Sequence, residues 1–178
     1  MAVRNLDGIF QPRSILVVGP ERIGKAACDL FFANLARADF KGRLFFAGVT
    51  PPEGLKGETV SSLGAFDQKV DLAVVLSGSP SAVEVIERLG ALRVKAALFL
   101  SRGYDEWSFA TSRLALQTAR KHGLRLIGPG SLGVMSLHGG VELTLAGRPA
   151  KKGDLALVSR SAAVINSTLA WAEQHGVG

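Results

Sequence analysis

The residues with the clearest chemical potential lie in the stretch SILVVGPERIGKAA, Ser14 to Ala27. From Gly19 to Lys25 it reads G-x-x-x-x-G-K, directly after a short apolar run and before a helix-length segment. A glycine loop of this kind brings backbone N–H groups and a helix N-terminus close to an anion, and Arg22 and Lys25 add positive charge. The spacing therefore predicts a phosphate-binding loop.

Three classes of ligand could provide that phosphate. A nucleoside triphosphate with Mg²⁺ needs a hydroxyl directly after the lysine, where this chain has Ala26. NAD usually needs an Asp or Glu at the end of the second strand, where the chain has Thr50 and Pro51. Coenzyme A carries a 3′-phosphate on its ribose, so a neutral end of the second strand is compatible with it. CoA or acyl-CoA is the favoured ligand, and an NAD(P)-binding domain of a dehydrogenase or redox sensor remains the alternative.

Short apolar runs alternate with helix-length amphipathic segments along the chain. Runs this apolar are typical of strands buried on both faces of a parallel sheet. The alternation predicts an α/β fold with a doubly wound parallel sheet of the Rossmann type, in which ligands bind beyond the carboxyl ends of the strands. The predicted strands are 14–19, 43–49, 71–77, 96–101, 124–128 and 154–159, and the predicted helices are 22–38, 80–92, 105–122 and 161–175.

The segment 136–154 interrupts this alternation of strands and helices, because it contains glycines, a proline and a lysine pair. It predicts a linker, with room for a short strand at 141–145, between one complete unit and the beginning of another. The predicted organisation is a Rossmann-like domain at 1–135, a linker at 136–153 and the start of a second domain at 154–178.

Composition excludes several other classes. A single cysteine among 178 residues rules out an intrachain disulfide and suits the cytoplasm. No apolar run approaches the length of about 20 residues that a membrane span needs. The net charge of +6 suits an anionic ligand, but one Tyr and two Trp are too few for the basic and aromatic pattern of a nucleic-acid surface. No spacing among the three histidines suggests a metal site.

A family resemblance follows from segments that occur in a fixed order. They are IFQPRSILVVG (9–19), VTP (49–51), DLAVVL (71–76), VKAALFLSRGYDE (94–106), GPGSLGV (128–134) and GDLALVSRSAAVINSTLAWAEQHGVG (153–178). With these segments the chain resembles the CoA-binding half of the NDP-forming acyl-CoA synthetases, a group that includes the succinyl-CoA synthetase alpha subunit. It is also similar to the ligase-like region fused to some bacterial protein lysine acetyltransferases.

The resemblance implies a role for individual residues. The diphosphate of CoA would be held by the loop residues Gly19, Pro20, Glu21, Arg22, Gly24 and Lys25. Thr50 would face the adenosine end, Ser77 and Gly78 would flank the adenine, and Ser101 and Arg102 would line the path of the pantetheine. Ser159, Arg160 and Ser161 match the turn before a helix whose N-terminus faces a phosphorylated histidine in the complete enzymes.

The chain departs from the family pattern at a few positions. Pro20 and Glu21 stand where Ala and Ser are typical, Pro52 where some members have a phosphate-binding Lys, and Gly130 where the family has Asn. The family's phosphorylated histidine lies beyond the turn at 159–161, in the second α/β domain. The resemblance therefore implies a binding or regulatory module rather than a complete catalytic unit.

The apolar side chains of the last predicted strand and helix need a cover. We expect residues 154–175 to pack against the surface of the first domain, against a second copy of the chain or against remaining domains of a larger protein. Trp107 and Trp171 are predicted to pack rather than to stack on a ligand, and Cys28 is predicted to be a small core residue.

Overall fold

The computed structural model describes residues 6–19, 24–76, 81–100 and 107–178. The sites predicted at 20–23, 77–80 and 101–106 lie outside the described residues. The helices are α1 (Asp7–Phe10), α2 (Lys25–Arg37), α3 (Ala82–Ala91), α4 (Phe109–His122) and α5 (Ala162–His175). The strands are β1 (Ser14–Val18), β2 (Arg43–Ala47), β3 (Glu58–Val60), β4 (Leu72–Val75), β5 (Ala96–Leu100), β6 (Arg125–Ser131), β7 (Gly133–Ser136) and β8 (Val141–Thr144).

The main sheet has six parallel strands in the order β3-β2-β1-β4-β5-β6. The chain starts at β1, runs outward to β3, and returns to place β4 on the other side of β1. The strand order therefore reverses between β1 and β4, which is where ligands bind in this class of sheet. The predicted doubly wound α/β fold is confirmed.

The central strands are apolar on both faces because helices cover both faces. Ile15 and Val17 of β1 belong to one core with α2 and β8, while Leu16 and Val18 belong to the opposite core with α3 and α4. All four side chains are at most 6% exposed. Since successive strand residues point to opposite faces, a continuous apolar run is what such a buried strand requires.

A two-stranded antiparallel hairpin, β7 and β8, packs against α2. The buried Asn34 of α2 donates hydrogen bonds from Nδ2 to the carbonyl oxygens of Thr144 (2.9 Å) and Ala146 (3.0 Å). Arg37 donates to Oε2 of the buried Glu142 at 2.9 Å and to Oδ1 of Asn34 at 2.8 Å. Part of the predicted linker is thus tied into the core of the first domain, and the predicted domain boundaries stay a prediction.

The helix ends follow ordinary capping chemistry. Ser108 caps α4, its Oγ accepting from the backbone N–H of Thr111 at 3.1 Å. Gly123 and Gly176 follow α4 and α5 in the left-handed conformation that glycine adopts without strain.

The predicted strand at 154–159 is wrong: the structure has no strand there, and residues 151–164 are exposed. Among the described residues no neighbouring strand pairs with this run, and an unpaired strand cannot satisfy its backbone groups. Leu155 donates its backbone N–H to the carbonyl of Gly178 at 3.2 Å instead. The expected packing of this run on the first domain is therefore not found, and contact with a second copy stays a prediction.

One side chain of α3 holds part of the long connection from β2 to β4. Arg88 of α3 donates to the carbonyl oxygens of Leu63 (3.4 Å), Gly64 (3.0 Å) and Phe66 (2.7 Å). These residues form a 3₁₀ turn, Leu63–Ala65, and its exit. The connection therefore follows α3 closely although most of it is irregular.

Candidate ligand site at the carboxyl edge of the sheet

The carboxyl ends of β1 and β2 lie in direct contact. Gly19 donates its backbone N–H to the carbonyl of Ala47 at 3.1 Å, and Gly48 donates to Val60 at 3.0 Å. A Cβ atom added to Gly19 would lie 2.9 Å from Cβ of Val49, which is closer than real Cβ contacts allow. Glycine at 19 is therefore required for the two strand ends to meet, and Thr50 follows directly as an exposed residue.

Helix α2 begins at this edge with an uncapped N-terminus. Gly24 is the N-cap residue, with φ +81° and ψ 150°, and no side chain of the described residues accepts from the first turn. The first hydrogen bonds of the helix run from Ala27 and Cys28 to the carbonyl of Gly24, both at 3.1 Å. The N–H groups before Ala27 have no acceptor within the helix, and together with the helix dipole they form a region that attracts anions.

Lys25, the first residue of α2, forms an ion pair with Asp29 on the helix surface. Its Nζ lies 2.8 Å from Oδ2 of Asp29, and its side chain is 88% exposed. The hydrogen bond to the Asp29 carboxylate raises the pKa of Lys25, so the ammonium stays charged. Asp29 offsets that charge near the loop, and a phosphate contact from Lys25 stays a prediction.

Most of the other predicted contacts fall outside the described residues. These are Pro20, Glu21, Arg22, Ser77, Gly78, Ser101 and Arg102. The structure does describe the strand ends that precede these residues. Leu76 donates its backbone N–H to the carbonyl of Val18 at 2.8 Å, so the carboxyl ends of β1 and β4 lie side by side at this edge of the sheet.

The predicted anion turn at 159–161 is formed and exposed. The backbone N–H of Ser161 donates to Oγ of Ser159 at 3.1 Å, and Oγ of Ser161 accepts from Val164 at 3.3 Å. Ser161 is the N-cap residue of α5. The turn is thus organised as a helix N-terminus, while Arg160 is an exposed neighbour.

The end of β6 also belongs to this edge, although it was not predicted as a site. Leu100, the last residue of β5, pairs with Ser131 after a register shift. A Cβ atom on Gly128 would lie 2.4 Å from the carbonyl oxygen of Phe99, and Gly130 has φ +72°. The glycines of GPGSLG were visible in the sequence, but their contact with β5 depends on strand order.

Trp107 is a further residue at this edge that sequence analysis assigned only to packing. Its ring packs edge-on against Phe99, with centroids 5.0 Å apart, and it is 8% exposed. Its indole Nε1 is buried without a hydrogen-bond partner in the structure. Nothing in the sequence signals this, because an unpartnered N–H arises only from the packing.

The described part of the chain holds no group of three or more His, Cys, Asp or Glu residues placed to bind a metal ion. None of its helices is long and apolar enough to cross a membrane.

The family of CoA binding domains matches residues 13–136, which contain the whole main sheet and its glycine edge. The chain belongs to this family. The match confirms the predicted resemblance at the level of the CoA-binding domain; the fusion to an acetyltransferase stays a prediction.

The similar proteins are CoA ligases that are much longer than this chain. The acetate–CoA ligase [ADP-forming] I subunit alpha of Pyrococcus furiosus is 27% identical over 185 residues, covering 98% of this chain and 39% of that protein. The 4-hydroxybutyrate–CoA ligase [ADP-forming] of Nitrosopumilus maritimus is 25% identical over 175 residues, covering 96% of this chain and 25% of that protein. This chain thus spans about two fifths or less of these relatives.

A solved structure shows the same fold over nearly all of the chain. The dinucleotide-forming acetyl-coenzyme A synthetase 1 of Ca. Korarchaeum cryptofilum, in complex with phosphate and ADP, matches with a TM-score of 0.82 at 23% identity. The match covers 97% of this chain and 38% of that one.

Proposed function

We propose that this chain is the CoA-binding module of an NDP-forming acyl-CoA synthetase-like protein. The observation that carries the proposal is that the CoA-binding family match, at 13–136, includes the point where strand order reverses. Gly19, at the end of β1 beside that point, lies against Val49, and α2 begins there with Gly24 as its N-cap residue and no side-chain cap from a described residue.

The described residues fit a diphosphate group. Apart from its chain neighbours, no heavy atom of the described residues lies within 4 Å of a Cβ position built on Gly24, so these residues leave open space beside the first N–H groups of α2. Those N–H groups bind and orient the diphosphate, and the absence of a Cβ at Gly19 keeps the neighbouring strand end from being displaced. The neutral Thr50 suits a ribose that carries a phosphate and favours CoA over NAD. Bound CoA supplies the thiol that accepts an acyl group.

Other domains would complete the reaction. In support, the chain spans 39% of one related ligase subunit and 25% of another related ligase. We place the module in the cytoplasm, where a CoA-dependent reaction has its cofactor.

Calorimetric titration with CoA, acetyl-CoA, NADH and ATP tests the proposed ligand. Saturable binding of CoA or acyl-CoA, without binding of NADH or ATP at the same concentration, is the expected outcome. Binding of NADH alone would replace the proposal with an NAD-dependent function.

Two Gly→Ala variants test whether Gly19 belongs to the CoA site. In Gly19→Ala the new Cβ would meet Val49, so we expect weaker CoA binding. In Gly147→Ala, the matched control, no heavy atom lies within 4 Å of the new Cβ, so CoA binding should be unchanged. Equal affinity in both variants and in the unmodified chain would remove Gly19 from the site.

The exposed apolar run before α5 is, in this proposal, a contact surface for the remaining ligase domains or for a second copy of the chain. Leu155 is 59% exposed, Leu157 42% and Val158 97%. Apolar groups this exposed usually mark a protein contact. Light scattering over a concentration series, on the unmodified chain and on Leu155→Asp/Val158→Asp, tests self-association. A dimer that the double variant abolishes supports the second copy, and a monomer at all concentrations leaves the ligase domains as the proposed partner.

A further inference from the structure

A cleft opens at the amino edge of the sheet, the edge opposite the candidate CoA site. It has a volume of about 710 Å³. Its walls come from the residues before β1, the α2–β2 loop, the turn between β7 and β8, and Lys152. The volume falls within the range of about 300–1,000 Å³ that is typical of small-molecule sites.

Glycines bring the walls of this cleft together. A Cβ on Gly42 would lie 2.4 Å from the carbonyl oxygen of Arg13, and one on Gly139 would lie 2.1 Å from that of Phe10. Gly140 has φ +68°, and the carbonyl of Asp39 lies 3.5 Å from its Cβ position. The three wall segments therefore meet backbone to backbone, which fixes the charged side chains between them.

The charges in the cleft are unbalanced. Asp39 is the acid among its lining residues, and its carboxylate is paired with Lys41. Arg13, Arg43 and Lys152 line the same cleft, and none of the three is in an ion pair with a described residue. Three cations without an acid partner thus share one cleft, in a chain whose total net charge is +6.

Asp71, an acid next to Arg13, already has a hydrogen-bond donor and an ion-pair partner. Asp71 accepts from the backbone N–H of Arg13 at 2.8 Å, but its other carboxylate oxygen is paired with Lys95. The Arg43 guanidinium lies 5.4 Å from the centre of the Phe45 ring, and it forms no ion pair with a described residue.

Lys152 is brought to the cleft by contacts on its own segment. His138 Nε2 lies 3.2 Å from the carbonyl oxygen of Gly153, and a Cβ on Gly153 would lie 2.0 Å from the carbonyl oxygen of Gly178. The His138 contact places this segment beside the β7–β8 turn, and Lys152 is an exposed residue of the cleft wall.

We propose that this cleft is a binding site for an organic di- or triphosphate, separate from the CoA site. Such esters carry three or four negative charges at neutral pH, which matches the three unpaired cations. Guanidinium groups bind phosphate oxygens in a bidentate manner, and two arginines, Arg13 and Arg43, are among the residues that line the cleft. Pro12, Phe40 and Leu137 also line the cleft and provide an apolar wall for the organic part.

The test uses the whole chain saturated with CoA, so that the phosphate loop at the carboxyl edge is blocked. Inorganic tripolyphosphate is the probe, with citrate and hexaglutamate as carboxylate anions of comparable charge. Backbone amide shifts in NMR spectra and calorimetry are recorded for each. We expect saturable binding of tripolyphosphate, with the largest shifts at 38–43 and 137–140, and binding at least tenfold tighter than that of either carboxylate.

Variants assign the binding to the unpaired cations. Arg13→Gln/Arg43→Gln should weaken tripolyphosphate binding at least tenfold, and Lys152→Gln, on an exposed segment, should weaken it about threefold. Arg113→Gln, an exposed arginine in the middle of α4, is the matched control and should leave it unchanged. Thermal unfolding of each variant checks the fold, and Lys152→Gln provides the result if the double variant does not fold.

Three outcomes would overturn the proposal. Shifts confined to 19, 24–26 and 48–50 would place the probe at the carboxyl edge. Equal affinity for hexaglutamate would make the cleft a docking site for an acidic protein segment. Equal weakening in Arg113→Gln would reduce the effect to the overall charge of the chain.

Discussion

Two apolar runs of this chain have similar composition and opposite surroundings. Ser14–Val18 reads SILVV and is buried between two parallel neighbours, β2 and β4. Residues 155–159 read LALVS and form no strand, with Leu157 42% and Val158 97% exposed. The comparison indicates that an apolar run forms a buried strand where neighbouring strands pair with its backbone and other elements cover both of its faces.

The largest expected effect is the difference in stability between a Leu→Ala substitution in the first run and the same substitution in the second. Leu16→Ala removes a fully buried side chain of β1 and should lower the free energy of unfolding by about 3 kcal/mol. Leu157→Ala, the matched control, should change it by less than about 0.5 kcal/mol. Urea unfolding monitored by circular dichroism measures both. A comparable loss in Leu157→Ala would mean that the second run is buried in solution.

A second pair of variants compares a buried asparagine with a half-buried one. Asn34→Ala leaves the carbonyls of Thr144 and Ala146 without their donor, so it should cost about 2 kcal/mol of stability. Asn166 lies on α5, where no hydrogen bond involves its side chain, and Asn166→Ala should cost less than about 0.5 kcal/mol. The same unfolding experiment applies. If Asn34→Ala were neutral, the hairpin would not depend on its attachment to α2.

The third prediction concerns pH. Burial raises the pKa of the Asp71 carboxyl, but hydrogen bonds from Lys95 and from the backbone of Arg13 outweigh it and hold that pKa below its ordinary value. A carboxyl with a lowered pKa in the folded state stabilises the fold above the pKa of the unfolded chain, about 3.9, and this stabilisation is lost as the pH falls through the folded-state value.

Asp71→Asn should therefore be less stable than the unmodified chain at pH 7, by about 0.5–1 kcal/mol, and the gap should close near pH 2.5. Asp67→Asn, at an exposed acid in the connection before β4, is the control and should show no such change. Unfolding curves at several pH values between 2.5 and 7 provide the measurement. A gap that stays constant with pH would assign Asp71 a purely neutral hydrogen-bonding role.

The smallest effect should come from the exposed pair on α2. Lys25→Ala should weaken CoA binding by roughly threefold, because an exposed charge contributes little. Asp29→Asn frees the Lys25 ammonium from its partner at 2.8 Å and should tighten binding by a similar factor. Calorimetry at low and high salt measures both, and both effects should shrink at high salt. Identical affinities at low salt would show that Lys25 does not contact the ligand.

The fold was largely predictable because most of the strands are continuous apolar runs with the length of a buried strand. The exceptions have physical reasons. β3 is three residues long and exposed at the edge, so no apolar run marks it. The strand predicted at 154–159 failed because apolarity says nothing about whether a neighbour is present.

The candidate site was predictable where it depends on the backbone. Gly19 follows directly from the loop pattern, and its contact with Val49 explains why glycine is needed there. The ion pair between Lys25 and Asp29 could have been suspected from their i, i+4 spacing. The basic cleft could not, because Arg13, Arg43 and Lys152 are distant in sequence and meet only through the topology.

The hydrogen bonds of Arg88 affect how this part of the protein unfolds locally. Arg88 joins α3 to the carbonyls of Leu63, Gly64 and Phe66, so this stretch of the β2–β4 connection cannot separate from α3 without breaking those hydrogen bonds. The amide protons of the stretch should consequently exchange with solvent in step with those of α3 rather than as an independent loop. We therefore expect the turn that Arg88 binds to open in the same cooperative unit as α3.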